Sequence, residues 1–134
     1  MSLLADTSGI LVLLERKHPL HAPAKAALDG NLLVPATILP ELDYLGAALL
    51  GRDKMRRFFE GLAKGEGTYT PLLEEDLPRT LEVMEQYQDA EIGFVDASIV
   101  ALAERYKVRR VLTLDRRHFA LFKPKGLGRL EILP

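Results

Sequence analysis

Short apolar runs separated by longer stretches with helical spacing recur along the whole chain, and this alternation constrains the fold more than any other feature. Leu3-Leu4-Ala5, Leu32-Leu33-Val34 and Val111-Leu112-Thr113 are too short for helices and do not alternate polar with apolar. Strands that are apolar throughout are covered on both faces, as in a parallel sheet packed between helices. The intervening segments carry apolar residues three and four apart, so the order reads as βαβ units. The expected fold class is α/β, a mostly parallel sheet sandwiched by helices, with residues 1–134 forming one domain.

The spacing predicts helices over 7–16, 21–28, 36–50, 52–63, 76–87 and 94–106. Pro40 has to lie in the first turn of the third helix, where its missing N–H does least harm, and Gly51 closes that helix. Asp29-Gly30-Asn31 is a turn into the second strand. Thr68-Tyr69-Thr70 reads as a strand or edge segment, and Leu130-Glu131-Ile132 as a last strand. Along the third helix Ile38, Leu42, Leu45 and Leu49 form one apolar stripe.

The 134 residues include no cysteine and no tryptophan. That excludes disulfides, thiolate metal sites and a cysteine nucleophile. No apolar run reaches the ~20 residues of a membrane span. The start, Met1-Ser2-Leu3-Leu4-Ala5-Asp6, lacks the basic residues of a signal peptide, so a cytoplasmic protein is expected. The net charge of −1 conceals an asymmetry: residues 105–134 hold nine bases against two acids, +7, and the remainder holds −8. Such a basic region attracts a polyanion. The plain alternative is a solvated basic end.

Four acids fall just after strands or in first helical turns. Asp6 follows the first strand directly and Asp115 follows the strand ending at Thr113 almost directly. Glu41 lies early in the helix after the second strand, at the margin of the apolar stripe, whereas Asp43 points the other way. In a doubly wound sheet the carboxyl ends of the strands form one rim, and ligands bind there. Topology therefore places these three at one rim. Asp96 joins them if its own helix starts there. It is the lone charge in Ile92-Gly93-Phe94-Val95-Asp96-Ala97-Ser98-Ile99-Val100-Ala101-Leu102-Ala103, a helix apolar nearly all round and therefore buried. Each acid also has a structural reading: Asp6, Asp96 and Asp115 as helix caps or turn residues, Glu41 as a solvated flank. If they converge, their repulsion calls for a hard divalent cation held by oxygen ligands.

These residues carry a resemblance. Asp6-Thr7-Ser8 after a short N-terminal strand, the helix beginning Val95-Asp96-Ala97-Ser98, and Thr113-Leu114-Asp115 followed by Phe119 resemble the PIN-domain nucleases. The resemblance covers nearly the whole chain and is closest to the small bacterial and archaeal type, many of which are toxins of VapBC toxin–antitoxin pairs. It implies endonucleolytic cleavage of RNA with Mg²⁺ or Mn²⁺. The family's four acids match Asp6, Glu41, Asp96 and Asp115, all expected to be catalytic and to hold the metal, Glu41 directly or through water. Ser8 and Thr113 match its supporting polar residues, holding ligands or water. It also implies a homodimer and an antitoxin partner. The N-terminal helices and Phe58-Phe59 offer apolar surface for one or the other, with ordinary core as the alternative.

Other residues have more local readings. Arg116 and Arg117, beside Asp115, are expected to guide RNA phosphates. Arg52, Lys54, Arg56 and Arg57 do so too or form a solvated face. Asp89 is expected in a structural turn and Phe119 as a core anchor. His18 and His21 read as loop polarity; His118 is a candidate RNA contact. The competing functions are a non-catalytic partner-binding module of the same fold, a receiver-type phosphoacceptor and a dehalogenase-type phosphatase. The receiver type needs paired acids after the first strand, where Asp6 stands alone. The phosphatase type needs an aspartate at position 8, which is Ser8.

Overall fold

The computed structural model describes all of residues 1–134. Its centre is a sheet of five parallel strands: β1 (Ser2–Ala5), β2 (Asn31–Pro35), β3 (Thr68–Thr70), β4 (Arg110–Leu112) and β5 (Glu131–Leu133), in the order β3-β2-β1-β4-β5. Seven helices flank it: α1 (Thr7–Leu14), α2 (His21–Ala27), α3 (Leu39–Leu50), α4 (Arg52–Ala63), α5 (Leu77–Gln86), α6 (Phe94–Tyr106) and the short α7 (Arg116–Phe119). The chain winds outward from β1 through β2 to β3, then returns to β4 on the opposite side of β1. Right-handed crossovers in opposite directions put α1–α4 on one face and α5 and α6 on the other. The β1/β4 boundary is the switch point, where a crevice opens outside the strand ends.

Burial follows the apolar pattern. Leu3, Leu4 and Ala5 of the central strand are buried on both faces, as are Leu33, Val34, Val111 and Leu112 beside it. In α6 every residue from 97 to 103 is buried. Phe119 is fully buried, as its core role requires, and stacks edge-on with Phe122 at 5.4 Å between centroids; Phe122 does the same with Tyr87 at 5.1 Å. Burying such side chains stabilises the fold by roughly 1.5–3 kcal/mol each. No helix is long and apolar enough to cross a membrane.

The structure shifts several boundaries. The first two helices stop at Leu14 and Ala27. Residues 36–38 and 74–76 form 3-10 turns, so α3 and α5 begin only at Leu39 and Leu77. Pro40 still lies in the first turn of α3. The last strand is displaced by one residue, to Glu131–Leu133. Thr113 leaves β4: its N–H still pairs with Leu133 O at 2.8 Å, but pairing with β1 ends at Ala5, beyond which the chain turns into α1. Asp89 sits exposed in a 3-10 turn, Gln88–Ala90.

The α3 stripe also differs. Ile38, Leu42 and Gly46 form the buried line, while Leu45 faces the crevice and Leu49 is 64% exposed. Gly46 decides this, because it lets Met55 of α4 press against the α3 backbone. A Cβ at position 46 would lie 2.3 Å from the Met55 sulfur. Gly9 makes a similar close approach, seating α1 on β4. A Cβ there would lie 2.1 Å from Leu112 O and 2.8 Å from its carbonyl carbon, and backbone cannot swing aside as a side chain can. Gly9→Ala is therefore expected to lose about 3 kcal/mol or more, the upper end for overpacking. Urea denaturation measures this, and an unchanged midpoint would refute the tight seating of α1.

Candidate active site

Asp6 is the first residue beyond β1 and caps α1. Its Oδ1 accepts the Gly9 N–H at 2.8 Å and the Ser8 hydroxyl at 2.8 Å, and its Oδ2 accepts the Thr113 hydroxyl at 2.5 Å. Ser8 Oγ in turn accepts the Leu114 N–H at 2.9 Å, and Thr113 Oγ1 accepts the Asp115 N–H at 2.9 Å. The capping reading and the crevice position therefore hold together for Asp6: one oxygen ends the helix while the group faces the switch point. The residue is only 8% exposed. Burial raises its pKa above the ordinary carboxylate value, against the lowering by its three hydrogen bonds, and Asp115 adds a further upward push.

Asp115 likewise caps a helix. Its Oδ1 accepts the His118 N–H at 3.2 Å, and its Oδ2 lies 2.9 Å from His118 Nδ1. Asp96, in the first turn of α6, makes no hydrogen bond, so the capping reading fails there; the residue before the helix is Gly93. Burial is the main cause that pushes the Asp96 pKa up to about 6, followed by the charges of Asp6 and Asp115, with a smaller push from Glu41 and opposition from His118.

Asp6, Glu41, Asp96 and Asp115 all line one cleft of about 480 Å³. Thr7, Ser8 and Gly93 complete its polar wall, and Leu11, Leu45, Phe94 and Val95 form an apolar wall. Asp43 is turned away and pairs with Arg52 at 2.8 Å. Donor atoms of Asp96, Asp115 and His118 lie within 4.8 Å of one another, a grouping able to hold a metal ion. His118 is the residue that sequence reasoning assigned elsewhere: its ring faces the acids. The available signal was its position three residues after the capping Asp115, which returns an N3 side chain to the cap. The exposed Phe94 at the cleft mouth was also missed, because a first-turn aromatic in an apolar helix reads as core.

The basic residues sort differently. Arg116 donates to the Pro134 carbonyl, while exposed Arg117 has no partner. Arg52 pairs with Asp43, and Arg56 with Asp53 and Glu60, while Lys54 and Arg57 have no acidic partner, so half of the basic cluster of α4 is compensated. His21 Nδ1 contacts Val12 O at 2.9 Å.

The family model for the PIN domain matches residues 3–123, from β1 to just beyond Phe122. The chain belongs to the PIN domain family. This PIN domain is 35% identical to ribonuclease VapC26 of Mycobacterium tuberculosis, over 98% of this chain and all of that protein. The crystal structure of VapC20 from the same organism, titled a sarcin-ricin loop cleaving toxin, superposes with a TM-score of 0.78 at 16% identity, covering 98% of this chain and 99% of that one. VapBC2 from Rickettsia felis, solved bound to a DNA fragment from its promoter, superposes with a TM-score of 0.70 at 12% identity, over 98% of each chain. At these identities the structural likenesses establish the fold of the PIN domain, five parallel strands between helices.

The raised pKa of Asp96 has a consequence for stability. Between about pH 4 and pH 6 the metal-free folded protein keeps a proton on Asp96 that the unfolded chain has released. Stability from this group is therefore fully present below its unfolded pKa and is lost as pH rises through about 6. Asp96→Asn removes the effect, together with the repulsion between Asp96 and Asp6. In urea denaturation with chelator, the wild type should lose on the order of 2 kcal/mol relative to Asp96→Asn from pH 4 to pH 7. A pH-independent difference would contradict the packing of Asp96 among acids.

Proposed function

We propose that this PIN domain is a divalent-metal-dependent endoribonuclease and the toxin of a toxin–antitoxin pair, with Mg²⁺ or Mn²⁺ as its ion. The observation that carries the reading is the convergence of four carboxylates from four separate elements on one cleft at the sheet's switch point. Full-length similarity to a protein named a ribonuclease supports the activity, and structural likeness to toxins and toxin–antitoxin complexes supports the biological setting.

The donor set fits such an ion. It consists of carboxylate oxygens with an imidazole beside them, and burial together with mutual repulsion already disfavours the ionised form of Asp96. Asp6, Asp96 and Asp115 would hold the ion, with Glu41 reaching it directly or through water. Bound there, a divalent cation polarises a phosphoryl oxygen and lowers the pKa of a coordinated water. The protein's own groups supply position and exclude competing chemistry. Ser8 and Thr113 spend their protons on Asp6 and so orient it. Neither serine near the cleft is free to attack phosphorus. Ser8 Oγ is committed to Asp6 and the Leu114 N–H, and the buried Ser98 Oγ donates to Val95 O at 2.6 Å and contacts Thr37 Oγ1 at 2.8 Å. These contacts support hydrolysis by water, without a covalent enzyme intermediate.

Arg117 is proposed as the phosphate guide of the Arg116-Arg117 pair, since Arg116 is already engaged by the Pro134 carbonyl. In a single-strand RNA cleavage assay with Mg²⁺ or Mn²⁺, Asp96→Asn should lose at least about 100-fold in rate, as loss of transition-state charge stabilisation requires, and EDTA should abolish wild-type activity. KM should rise steeply with salt, and less steeply for Arg117→Ala. Activity that survives EDTA, or an undiminished Asp96→Asn, would refute the site assignment.

The proposed partners are an antitoxin and a second copy of the chain. Phe58 and Phe59 are half-buried and pack edge-on at 5.5 Å; Phe58 lines an apolar groove with Ile10, Leu13, Leu14, Leu28 and Leu32, suited to an apolar antitoxin segment. Separately, α3 presents Tyr44, 74% exposed, beside Leu45 and Leu49, a surface suited to self-association. Light scattering should give a dimer mass, and Tyr44→Glu with Leu49→Glu should give a monomer that keeps its fold. A monomeric wild type would refute the dimer.

A further inference from the structure

We propose that His118 is a positioning residue for Asp115, and that its ring sets the metal affinity of the cleft without itself ligating the ion. This rests on the reading of the cleft as a metal site. The Asp115 carboxylate is held by His118 alone: the backbone N–H reaches Oδ1 at 3.2 Å and the ring Nδ1 reaches Oδ2 at 2.9 Å. A carboxylate oxygen only accepts, so Nδ1 carries the proton and donates it. The Asp115 side chain is 38% exposed, so without the ring it would be held at one oxygen and free to turn toward solvent.

The imidazole is well placed for this work. It is half-buried, and the next residue, Phe119, is locked in the core and fixes the turn of α7. The same Nδ1 lies 4.0 Å from Asp96 Oδ2, so the ring stands between acids delivered by two different elements. The cluster is thus held unequally. Asp6 is gripped by three donors and Asp115 by His118, whereas Asp96 has no hydrogen-bond partner. Convergent carboxylates need donors from the surrounding protein to fix their orientation before an ion arrives, and His118 supplies for Asp115 what Ser8, Gly9 and Thr113 supply for Asp6. The Nδ1 proton committed to Oδ2 keeps Nδ1, the ring atom that faces both acids, from ligating the ion.

Mn²⁺ alone is the probe, and its dissociation constant is read from the free aqua-ion signal in electron paramagnetic resonance, with no substrate present. His118→Ala should weaken Mn²⁺ about 10- to 100-fold, as losing a hydrogen bond to a metal ligand does, with the metal-free melting temperature nearly unchanged. His118→Asn places an amide N–H where Nδ1 stood and should recover to within about threefold of wild type, whereas His118→Gln carries its donor too far out and should stay weak. If His118→Ala does not fold, the Asn and Gln pair decides the question. Equal affinity for His118→Ala and wild type, or equal weakness of the Asn and Gln variants, would overturn the proposal. So would imidazole-nitrogen coupling in the spin-echo spectrum of bound Mn²⁺, which would make His118 a ligand. Asp96→Asn separates the two levels: if it binds Mn²⁺ as tightly as wild type, the metal reading itself falls. If it binds weakly while His118→Ala is unaffected, only the role of His118 falls.

Discussion

The Thr113 hydroxyl joins the two halves of the sheet at the point where its winding reverses. It gives its proton to Asp6 at the end of β1 and takes the N–H of Asp115 beyond β4. A carboxylate buried as deeply as Asp6 is tolerated only when it is hydrogen-bonded, because an unpartnered one would cost several kcal/mol in lost hydration. Its donors come from α1 and from the segment after β4, so the registers of β1 and β4 and the start of α1 depend on one another. A one-residue slip of β4 would turn Thr113 away and leave the buried Asp6 without its Oδ2 donor. The contact that makes the core self-consistent is thus the one that brings two of the four acids together.

The cleft is a place where the fold gives up stability. Asp96 is half-buried beside other acids and binds a proton near pH 6 in consequence. A sequence selected for stability alone would carry an amide or an apolar residue there. Strain of this kind is concentrated where a ligand of opposite charge is expected. The site is built unevenly: Asp6 and Asp115 have fixed orientations, while Asp96 makes no hydrogen bond and Glu41 stands exposed on α3.

Part of the charge asymmetry is compensated within the chain. Arg105 pairs with buried Asp76 at 3.1 Å, Arg110 with Asp29 at 2.8 Å, and Lys125 with Glu82 at 3.7 Å. The basic end is therefore stitched to the acidic remainder of the chain, and Arg79 with Glu104 adds a further tie between α5 and α6 at 2.9 Å. The other six bases of residues 105–134, Lys107, Arg109, Arg116, Arg117, Lys123 and Arg129, pair with no acidic side chain, and Arg117 is the free one beside the cleft.

The sequence by itself determined the parallel sheet, because strands apolar on both faces can be satisfied only between layers of helices, and the placement of Asp6, Glu41 and Asp115 at one rim, because the carboxyl ends of parallel strands share an edge. Those are local or topological properties, set by periodicity along the chain. Tertiary structure decided what depends on distance between remote residues. It brought the start of α6, and with it Asp96, to the same cleft. It turned the buried line of α3 from Leu45 and Leu49 to Gly46, since close approach of Met55 depends on a second helix. It also brought the His118 ring to within 4.0 Å of Asp96. A side chain's partner across the fold is chosen by the packing of whole elements, and no spacing within one segment encodes it.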